Sequence, residues 1–384
     1  MEQYWRDYTI KKDDEIVEYF LNIETGKTLF ILGAGFDNRM NEGLNKLLES
    51  GLKPDIWLIH YHEAAQSASR KYGESSKNNL NDFWKVSNEN SLNVAEHTIY
   101  MFDASEEPER PVAETRAKRF MIKNKTKLNG YDSIFIDISA IPHSLYLEML
   151  DIILDYWKTK QLYIMAVESY HHDKKIRPSE LDESAHYLIG YGGIEESFLD
   201  TDTPIIWVPV LGECTEEWLM KCYQWIQKGH NDLEICPVLP FPSVQERRAD
   251  EILKQFRKLL FENWNVEKRN IIYASEFNPF QVCRKIIETV DHYTKTMALL
   301  QDQNDEKNSC RFVLTMMTSK LLSAGTFLAA YNLKKEGYNV NIASIYNKGY
   351  KISGDKQNTD DGNVYCMCLN DDGMTSIGKK VWNA

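Results

Sequence analysis

The chain has 384 residues, of which 43% are hydrophobic, and this length and composition allow two globular domains, each with its own core. Its formal net charge of −12 argues against a broad basic surface for DNA or RNA, because phosphate contacts supply most of the affinity of such surfaces. No run approaches the roughly 18–20 apolar residues that cross a bilayer, and the first residues lack the apolar core of a signal peptide. We therefore expect a cytoplasmic protein with no extensive nucleic-acid surface and no membrane segment.

The first half of the sequence alternates short apolar runs with amphipathic segments. Strands are predicted at Leu29–Leu32, Asp55–Tyr61, His97–Phe102, Ser133–Ile138 and Leu162–Val167. The clearest helices are predicted at Arg110–Lys125 and Ser144–Lys158. Because the strands are nearly continuous apolar runs, they indicate a parallel sheet that is covered on both faces. The loops that follow such strands share one edge of the sheet, where they can converge on one ligand.

A change of composition predicts a linker over residues 171–199, between domains at 1–175 and 200–384. Strands are predicted in the second domain at Ile205–Val210, Leu233–Leu239, Asn270–Ala274, Arg311–Met316 and Asn339–Ile345. Helices are predicted there at Glu216–Gln227, Ser243–Glu262, Gln281–Leu299 and Ser319–Lys335. The fold class that follows is α/β, with two tandem Rossmann-like domains and mostly parallel sheets.

Seven cysteines are scattered through the sequence, and this odd number is typical of reduced thiols in a cytosolic protein. Cys366 and Cys368 are the one closely spaced pair, and the alternation around them places both sulfurs on the same face of a strand. No second Cys or His pair follows them, and a zinc site at His60 and His62 needs a third ligand from another strand end, near residues 171–173. We therefore predict no metal site, and the sequence identifies no cofactor.

A glycine-containing loop follows the first strand of the first half. Gly33 and Gly35 allow a tight turn or a positive φ, and the helix that follows offers free N–H groups to an anion. Only the first two glycines of a dinucleotide fingerprint are present, and the next strand ends without the acidic ribose-binding residue, so NAD binding of the usual kind is disfavoured. The string from Leu32 to Arg39 resembles the first S-adenosylmethionine motif of leucine carboxyl methyltransferases over these few residues.

Polar residues recur directly after the predicted strands of both domains. In the first domain they are Asp37, Arg39, Asp137 and Ser139. In the second domain they are Ser243, Arg247, Arg248, Ser275, Asn278, Thr318, Ser319 and Lys320. Taken singly, each of them is better explained as a helix cap or a turn residue than as a ligand contact. Their recurrence on one edge of each sheet favours a ligand site, and we predict that they line it, together with Gly33 and Gly35.

The junction at Thr318, Ser319 and Lys320 has the clearest chemistry. Hydroxyls, backbone N–H groups and a lysine at a helix start can surround a phosphate or a carboxylate. Arg247 and Arg248 are expected either to add a guanidinium fork to the same anion or to lie on the outside of their helix. No G-x-x-x-x-G-K-[ST] pattern occurs, so a P-loop ATPase or GTPase is disfavoured.

Two functions remain open from the sequence. The first is a sensor or regulatory module that binds a phosphorylated or nucleotide-like small molecule, with a protein partner or a homo-oligomer as its output. In architecture it is similar to the Rossmann-like cyclic-nucleotide sensors of prokaryotic antiviral defence, which implies a ligand at the strand ends and a pocket completed by dimerisation. The second is a transferase or hydrolase, S-adenosylmethionine-dependent methyltransferases included, with Asp37 or Asp137 as general base and Arg39 or Lys320 as electrostatic partner.

Overall fold

The computed structural model describes residues 8–105, 109–156, 159–170, 174–192, 203–213, 215–228, 233–301, 306–352 and 362–369. The chain divides into two compact units. The N-terminal unit comprises residues 2–172 together with 348–384, and the central unit comprises residues 173–347.

The strands of the described residues are β1 Thr9–Lys12, β2 Thr28–Ala34, β3 Asp55–His62, β4 Val94–Tyr100, β5 Phe102–Asp103, β6 Arg110–Pro111, β7 Ser133–Asp137, β8 Gln161–Glu168, β9 Ile176–Leu181, β10 His186–Tyr187, β11 Ile205–Leu211, β12 Leu233–Ile235, β13 Val238–Pro240, β14 Ile272–Ala274, β15 Arg311–Met317, β16 Val340–Ser344, β17 Asn347–Ile352 and β18 Asn363–Cys368. The α-helices are α1 Asp14–Leu21, α2 Glu42–Glu49, α3 Gly73–Glu89, α4 Ala113–Lys123, α5 Lys125–Leu128, α6 His143–Ile153, α7 Glu216–Gln227, α8 Arg248–Arg257, α9 Pro279–Gln301 and α10 Lys320–Lys335. Short 3₁₀ helices lie at Asn38–Asn41, Ala68–Tyr72, Leu154–Tyr156, Lys268–Asn270 and Glu306–Asn308, and a π-helical segment at Lys258–Asn263 extends α8.

The sheet of the N-terminal unit has the strand order β1-β18-β8-β7-β2-β3-β4. The pairs from β8 to β4 are parallel, whereas β18 pairs antiparallel with both β8 and β1. The sequence assigned the whole of 200–384 to the second domain, but this pairing places β18 in the first sheet. The reason is the buried face of β18, because Val364, Cys366 and Cys368 pack into the same core as Phe135 of β7.

The main sheet of the central unit has the strand order β10-β16-β15-β11-β13-β14, and β12 also pairs with β11. Every pair except β10 with β16 is parallel. Both units are therefore α/β sheets of mostly parallel strands, which confirms the fold class predicted from the continuous apolar runs. All seven residues of β11 and of β15 are buried, as expected for strands that are covered on both faces.

Helices cover each sheet and leave the carboxyl ends of the strands for loops. In the N-terminal unit, α1, α2 and α3 pack with Phe30 and Phe135 into one core. In the central unit, α7 and α8 pack with Trp207 and Val313 on one face. A Cβ built on Gly325 of α10 would lie 2.2 Å from the Pro279 carbonyl oxygen, so only glycine lets α10 approach the start of α9 this closely. No helix within the described residues has both the length and the apolar character to cross a bilayer.

Candidate functional site

Each sheet has a point where the connections of two neighbouring strands run in opposite directions. In the N-terminal unit, the chain leaves β2 towards β3 and leaves β7 towards β8 on the other side. In the central unit, it leaves β11 towards β13 and leaves β15 towards β16. Ligands of open α/β sheets bind in the crevice that forms at such a point, outside the carboxyl ends of the strands.

In the N-terminal unit, neighbouring loops approach the two glycines after β2 closely. A Cβ built on Gly33 would lie 2.7 Å from Cγ1 of Ile141, and one on Gly35 would lie 2.3 Å from the Tyr61 hydroxyl oxygen. That hydroxyl donates a 2.9 Å hydrogen bond to the Ala140 carbonyl. Neither glycine is among the described residues with positive φ, so of the two roles that the sequence allowed, a positive φ does not apply. Both positions require glycine because neighbouring loops approach them closely.

Arg39 and Asp37 are paired with each other beside this crevice. The Arg39 Nε donates to Asp37 Oδ1 at 2.9 Å and Nη2 donates to Oδ2 at 2.7 Å, while Nη1 donates to the Val167 carbonyl at 3.1 Å. Asn79 Nδ2 also donates to the backbone carbonyls of Gly35 and Asp37. Both charges are buried and satisfied inside the protein. The sequence offered Asp37 as one of two possible general bases and Arg39 as one of two possible electrostatic partners, and the structure pairs these two side chains with each other.

Asp137 has a different environment at the end of β7. Its Oδ1 accepts a 2.8 Å hydrogen bond from the Ser139 backbone N–H, and the Ser139 Oγ accepts one from Val167 N. Among the described residues, its Oδ2 has no hydrogen-bond partner, although Asp137 is only 1% exposed. Burial raises the pKa of Asp137 to about 7, and the nearby Asp37 charge also raises it. Asp137 is therefore a carboxyl group that gains and loses a proton near neutral pH.

In the central unit, the crevice is bordered by two buried hydroxyls. A Cβ on Gly212 would lie 2.5 Å from the Met317 carbonyl oxygen and 2.9 Å from the Thr318 Cα, so the loops after β11 and β15 are in contact. Ser319 is the N-cap residue of α10, with φ −60° and ψ 166°, but its side chain makes no capping hydrogen bond. Within the described chain, the Thr318 Oγ1 and the Ser319 Oγ are buried without a hydrogen-bond partner. Lys320 is the first helical residue and is half-buried.

Arg248 joins three strand-end loops of the central unit. Its Nε and Nη2 donate to the two carboxylate oxygens of Glu213 at 2.7 and 2.8 Å, and its Nη1 donates to Glu276 Oε1 at 2.6 Å. Arg248 is 2% exposed. Burial raises the pKa of Glu276, and Arg248 counteracts that rise. The guanidinium is therefore bonded to two carboxylates, whereas the sequence left open a fork on an anion or a place on the outside of the helix.

The remaining predicted residues of the central unit have local roles. Arg247 is exposed at the start of α8, and the Ser243 Oγ donates to the Gln245 carbonyl. The Ser275 Oγ accepts from Phe277 N at 3.3 Å, and the Asn278 Oδ1 accepts from Gln281 N at 3.0 Å, so both are turn or capping residues at the start of α9. Sequence reasoning missed Glu213 and Glu276. Glu213 lies two residues after the end of β11, so selecting polar residues that follow a predicted strand would have found it.

The described ranges contain no cluster of three or more His, Cys, Asp or Glu residues that could hold a metal ion. Cys366 and Cys368 are buried as free thiols in the core of the N-terminal unit. Burial raises the pKa of the Cys366 thiol well above its usual range, so it stays protonated.

No protein-family model matches this sequence, and neither does any curated protein. Among solved structures, a functionally unknown protein from Pseudomonas aeruginosa PAO1 is 10% identical, over 85% of this chain and 93% of its own, with a TM-score of 0.23. A proposed universal stress protein from Pseudomonas aeruginosa UCBPP-PA14 is 10% identical over 85% and 94%, with a TM-score of 0.23. A pantoate-β-alanine ligase from Francisella tularensis is 8% identical over 41% of this chain and 65% of its own, with a TM-score of 0.25. We draw no conclusion about function from similarities at these TM-scores.

Proposed function

We propose that the central unit binds the phosphate group of a phosphorylated or nucleotide-like small molecule at the start of α10. The observation that carries this proposal is the buried Ser319 Oγ, which has no hydrogen-bond partner in the described parts of the chain, in a residue that is only 7% exposed. A buried hydroxyl that lacks a hydrogen bond costs about 1–3 kcal/mol of folding free energy. A bound phosphate oxygen that accepts a hydrogen bond from this hydroxyl removes the cost.

The surroundings of Ser319 suit an anion. The first N–H groups of a helix have no acceptor inside that helix, and the partial positive charge there favours negative ligands. The helix α10 runs for 16 residues, so its dipole is fully developed. Thr318 adds a second buried hydroxyl next to Ser319. Both lie at the divergence of β11 and β15, where an α/β sheet places its ligand.

The carboxylates at the neighbouring strand ends, Glu213 and Glu276, favour a site that binds its ligand without converting it. A general base needs a free carboxylate oxygen that can reach a substrate proton. In Glu213, both oxygens accept hydrogen bonds from Arg248, and in Glu276 they accept from Arg248 and Val244. We therefore favour a cytoplasmic sensor or regulatory module that passes ligand binding to a protein partner or a second copy. A role in prokaryotic antiviral defence stays a prediction.

One observation favours the alternative, a transferase or hydrolase. Asp137 in the N-terminal unit has a pKa of about 7, which is the protonation behaviour of a general acid or base at neutral pH, and among the described residues its Oδ2 has no hydrogen-bond partner. Gly43 of α2 packs against that oxygen, so a substrate reaches it only if α2 moves. This alternative places the chemistry in the N-terminal unit, away from Ser319 in sequence and in a different unit.

Native mass spectrometry of the purified protein tests the proposal. We expect the wild type to retain a phosphorus-containing small molecule, and the Thr318→Val, Ser319→Ala double variant to lose it. The control is Thr326→Val on the same helix, because the buried Thr326 hydroxyl already donates to the Leu322 carbonyl at 2.8 Å. Equal retention in the double variant, or a retained compound without phosphorus, contradicts the proposal. If the wild type chemically converts the retained compound when it is added back, and Asp137→Asn does not, the enzyme alternative is supported instead.

A further inference from the structure

Two exposed aromatic side chains lie together near the same strand ends of the central unit. Phe241 is 52% exposed and Tyr273 is 45% exposed. Their ring centroids are 6.0 Å apart and the ring planes are inclined by 76°. Single exposed aromatic residues are common on protein surfaces, whereas contiguous exposed apolar surface is a feature of binding sites.

The position of this pair relative to Ser319 follows from the strand order. Phe241 directly follows β13, and its backbone N–H donates to the Ala274 carbonyl of β14. The neighbours β15, β11 and β13 are consecutive in the sheet, so β13 is two strands from β15. At the usual spacing of parallel strands, this separation is about 10 Å. A nucleoside monophosphate has a length of the same order from its phosphate to its base.

The loop that carries Phe241 is firmly attached to its neighbours. The Glu276 backbone N–H donates to the Pro242 carbonyl at 3.0 Å, and the Val244 N–H donates to Glu276 Oε2 at 3.1 Å. The other oxygen of Glu276 is held by Arg248, which also holds Glu213 beside Gly212. A polar network therefore connects the aromatic pair with the loop that contacts Thr318, and it fixes both ends of the crevice before a ligand binds.

We propose that Phe241 and Tyr273 receive the base of a nucleotide whose phosphate lies at Thr318 and Ser319. This inference rests on the proposed phosphate site and adds the substrate class to it. Bases stack on exposed aromatic rings, and loss of such a stack weakens binding by about tenfold. Glu213 follows β11, which lies between β15 and β13 in the sheet, and its carboxylate is paired with Arg248.

Calorimetric titration with ribose 5-phosphate and with the four nucleoside 5′-monophosphates tests this inference. We expect at least one nucleotide to bind the wild type about tenfold more tightly than ribose 5-phosphate does. Phe241→Ala removes that preference and leaves ribose 5-phosphate binding unchanged, whereas Phe241→Trp retains the preference. The control is Tyr100→Ala, which truncates an aromatic residue of the N-terminal unit that is exposed to a similar degree. Melting curves show whether each variant is folded.

The outcomes separate the two proposals. If ribose 5-phosphate binds and no nucleotide binds more tightly, the proposed base site at Phe241 and Tyr273 is wrong and the phosphate site stands. If the nucleotide preference persists in Phe241→Ala, the base lies elsewhere and the inference is again overturned. If neither the nucleotides nor ribose 5-phosphate bind the wild type, both proposals fail.

Discussion

Gly43 lies directly against Asp137 in the N-terminal unit. A Cβ built on Gly43 would come within 2.2 Å of the Asp137 Oδ2, so the first turn of α2 covers the oxygen that has no hydrogen-bond partner among the described residues. The carboxyl group is thereby separated from water, which explains its raised pKa of about 7.

This raised pKa predicts a loss of stability as the pH increases. The folded protein holds the Asp137 proton more tightly than the unfolded chain does, so the unfolded state loses its proton first, near pH 4. The stabilisation is fully present below that pH and is lost as the pH rises to about 7, the pKa of the folded state. We expect the free energy of unfolding of Asp137→Asn, relative to wild type, to increase by roughly 1–4 kcal/mol between pH 4 and pH 8.

Urea denaturation at several pH values measures this difference. Glu18→Gln is the control, because it makes the same carboxyl-to-amide change at an exposed residue of α1. If the free energies of unfolding of wild type and Asp137→Asn depend on pH in the same way, the raised pKa of Asp137 is contradicted.

Close contacts around Gly35 predict that Gly35→Ala destabilises the fold. The new Cβ collides with the Tyr61 hydroxyl, and overpacking of this kind costs about 1–3 kcal/mol. The cost falls in a Tyr61→Phe background, because that change removes the colliding oxygen. Gly73→Ala is the control, since no atom outside its immediate neighbourhood lies within 4 Å of a Cβ there. Thermal unfolding of wild type, Gly35→Ala, Tyr61→Phe and the double variant gives the coupling free energy between the two positions. If Tyr61→Phe leaves the cost of Gly35→Ala unchanged, the expectation is contradicted.

We expect a large loss of stability from substitution of Arg248 and a small effect from substitution of its neighbour Arg247. Arg248→Met leaves Glu213 and Glu276 buried without their partner, and breaking a buried ion pair on one side costs about 3–5 kcal/mol. Arg247→Met changes an exposed side chain, so we expect an effect within about 0.5 kcal/mol. Chemical denaturation distinguishes them. Similar small effects for both would mean that the Arg248 network is not formed in solution.

The strands of the parallel sheets could be predicted because each is a local apolar run. The partner of β18 could not be predicted in this way, because Val364 pairs with Val167, almost 200 residues earlier in the chain. The alternation around Cys366 and Cys368 did predict a strand with both sulfurs on one face, and both residues lie in one core. The pattern gives the face of a strand, whereas its neighbours depend on contacts distant in sequence.

The site was harder to predict because its charges are neutralised across loops. From the sequence, Arg248 is one of two adjacent arginines before a helix, and nothing local shows that Glu213 and Glu276 surround it. Gly35 belongs to a glycine-containing loop of a common kind, but glycine is required there because the Tyr61 hydroxyl of β3 lies so close. Ser319 was identified by position, and its unbonded hydroxyl became visible only in the folded chain.

The most direct test of the phosphate site is calorimetric titration of inorganic phosphate into wild type and Ser319→Ala, together with their free energies of unfolding without phosphate. We predict that the variant binds phosphate about tenfold or more weakly, since it loses a hydrogen bond to a charged group. Its stability without phosphate stays equal or rises, because the Ser319 side chain makes no capping bond. Equal phosphate affinity combined with a loss of about 1 kcal/mol in stability would contradict the account and make Ser319 an ordinary helix cap.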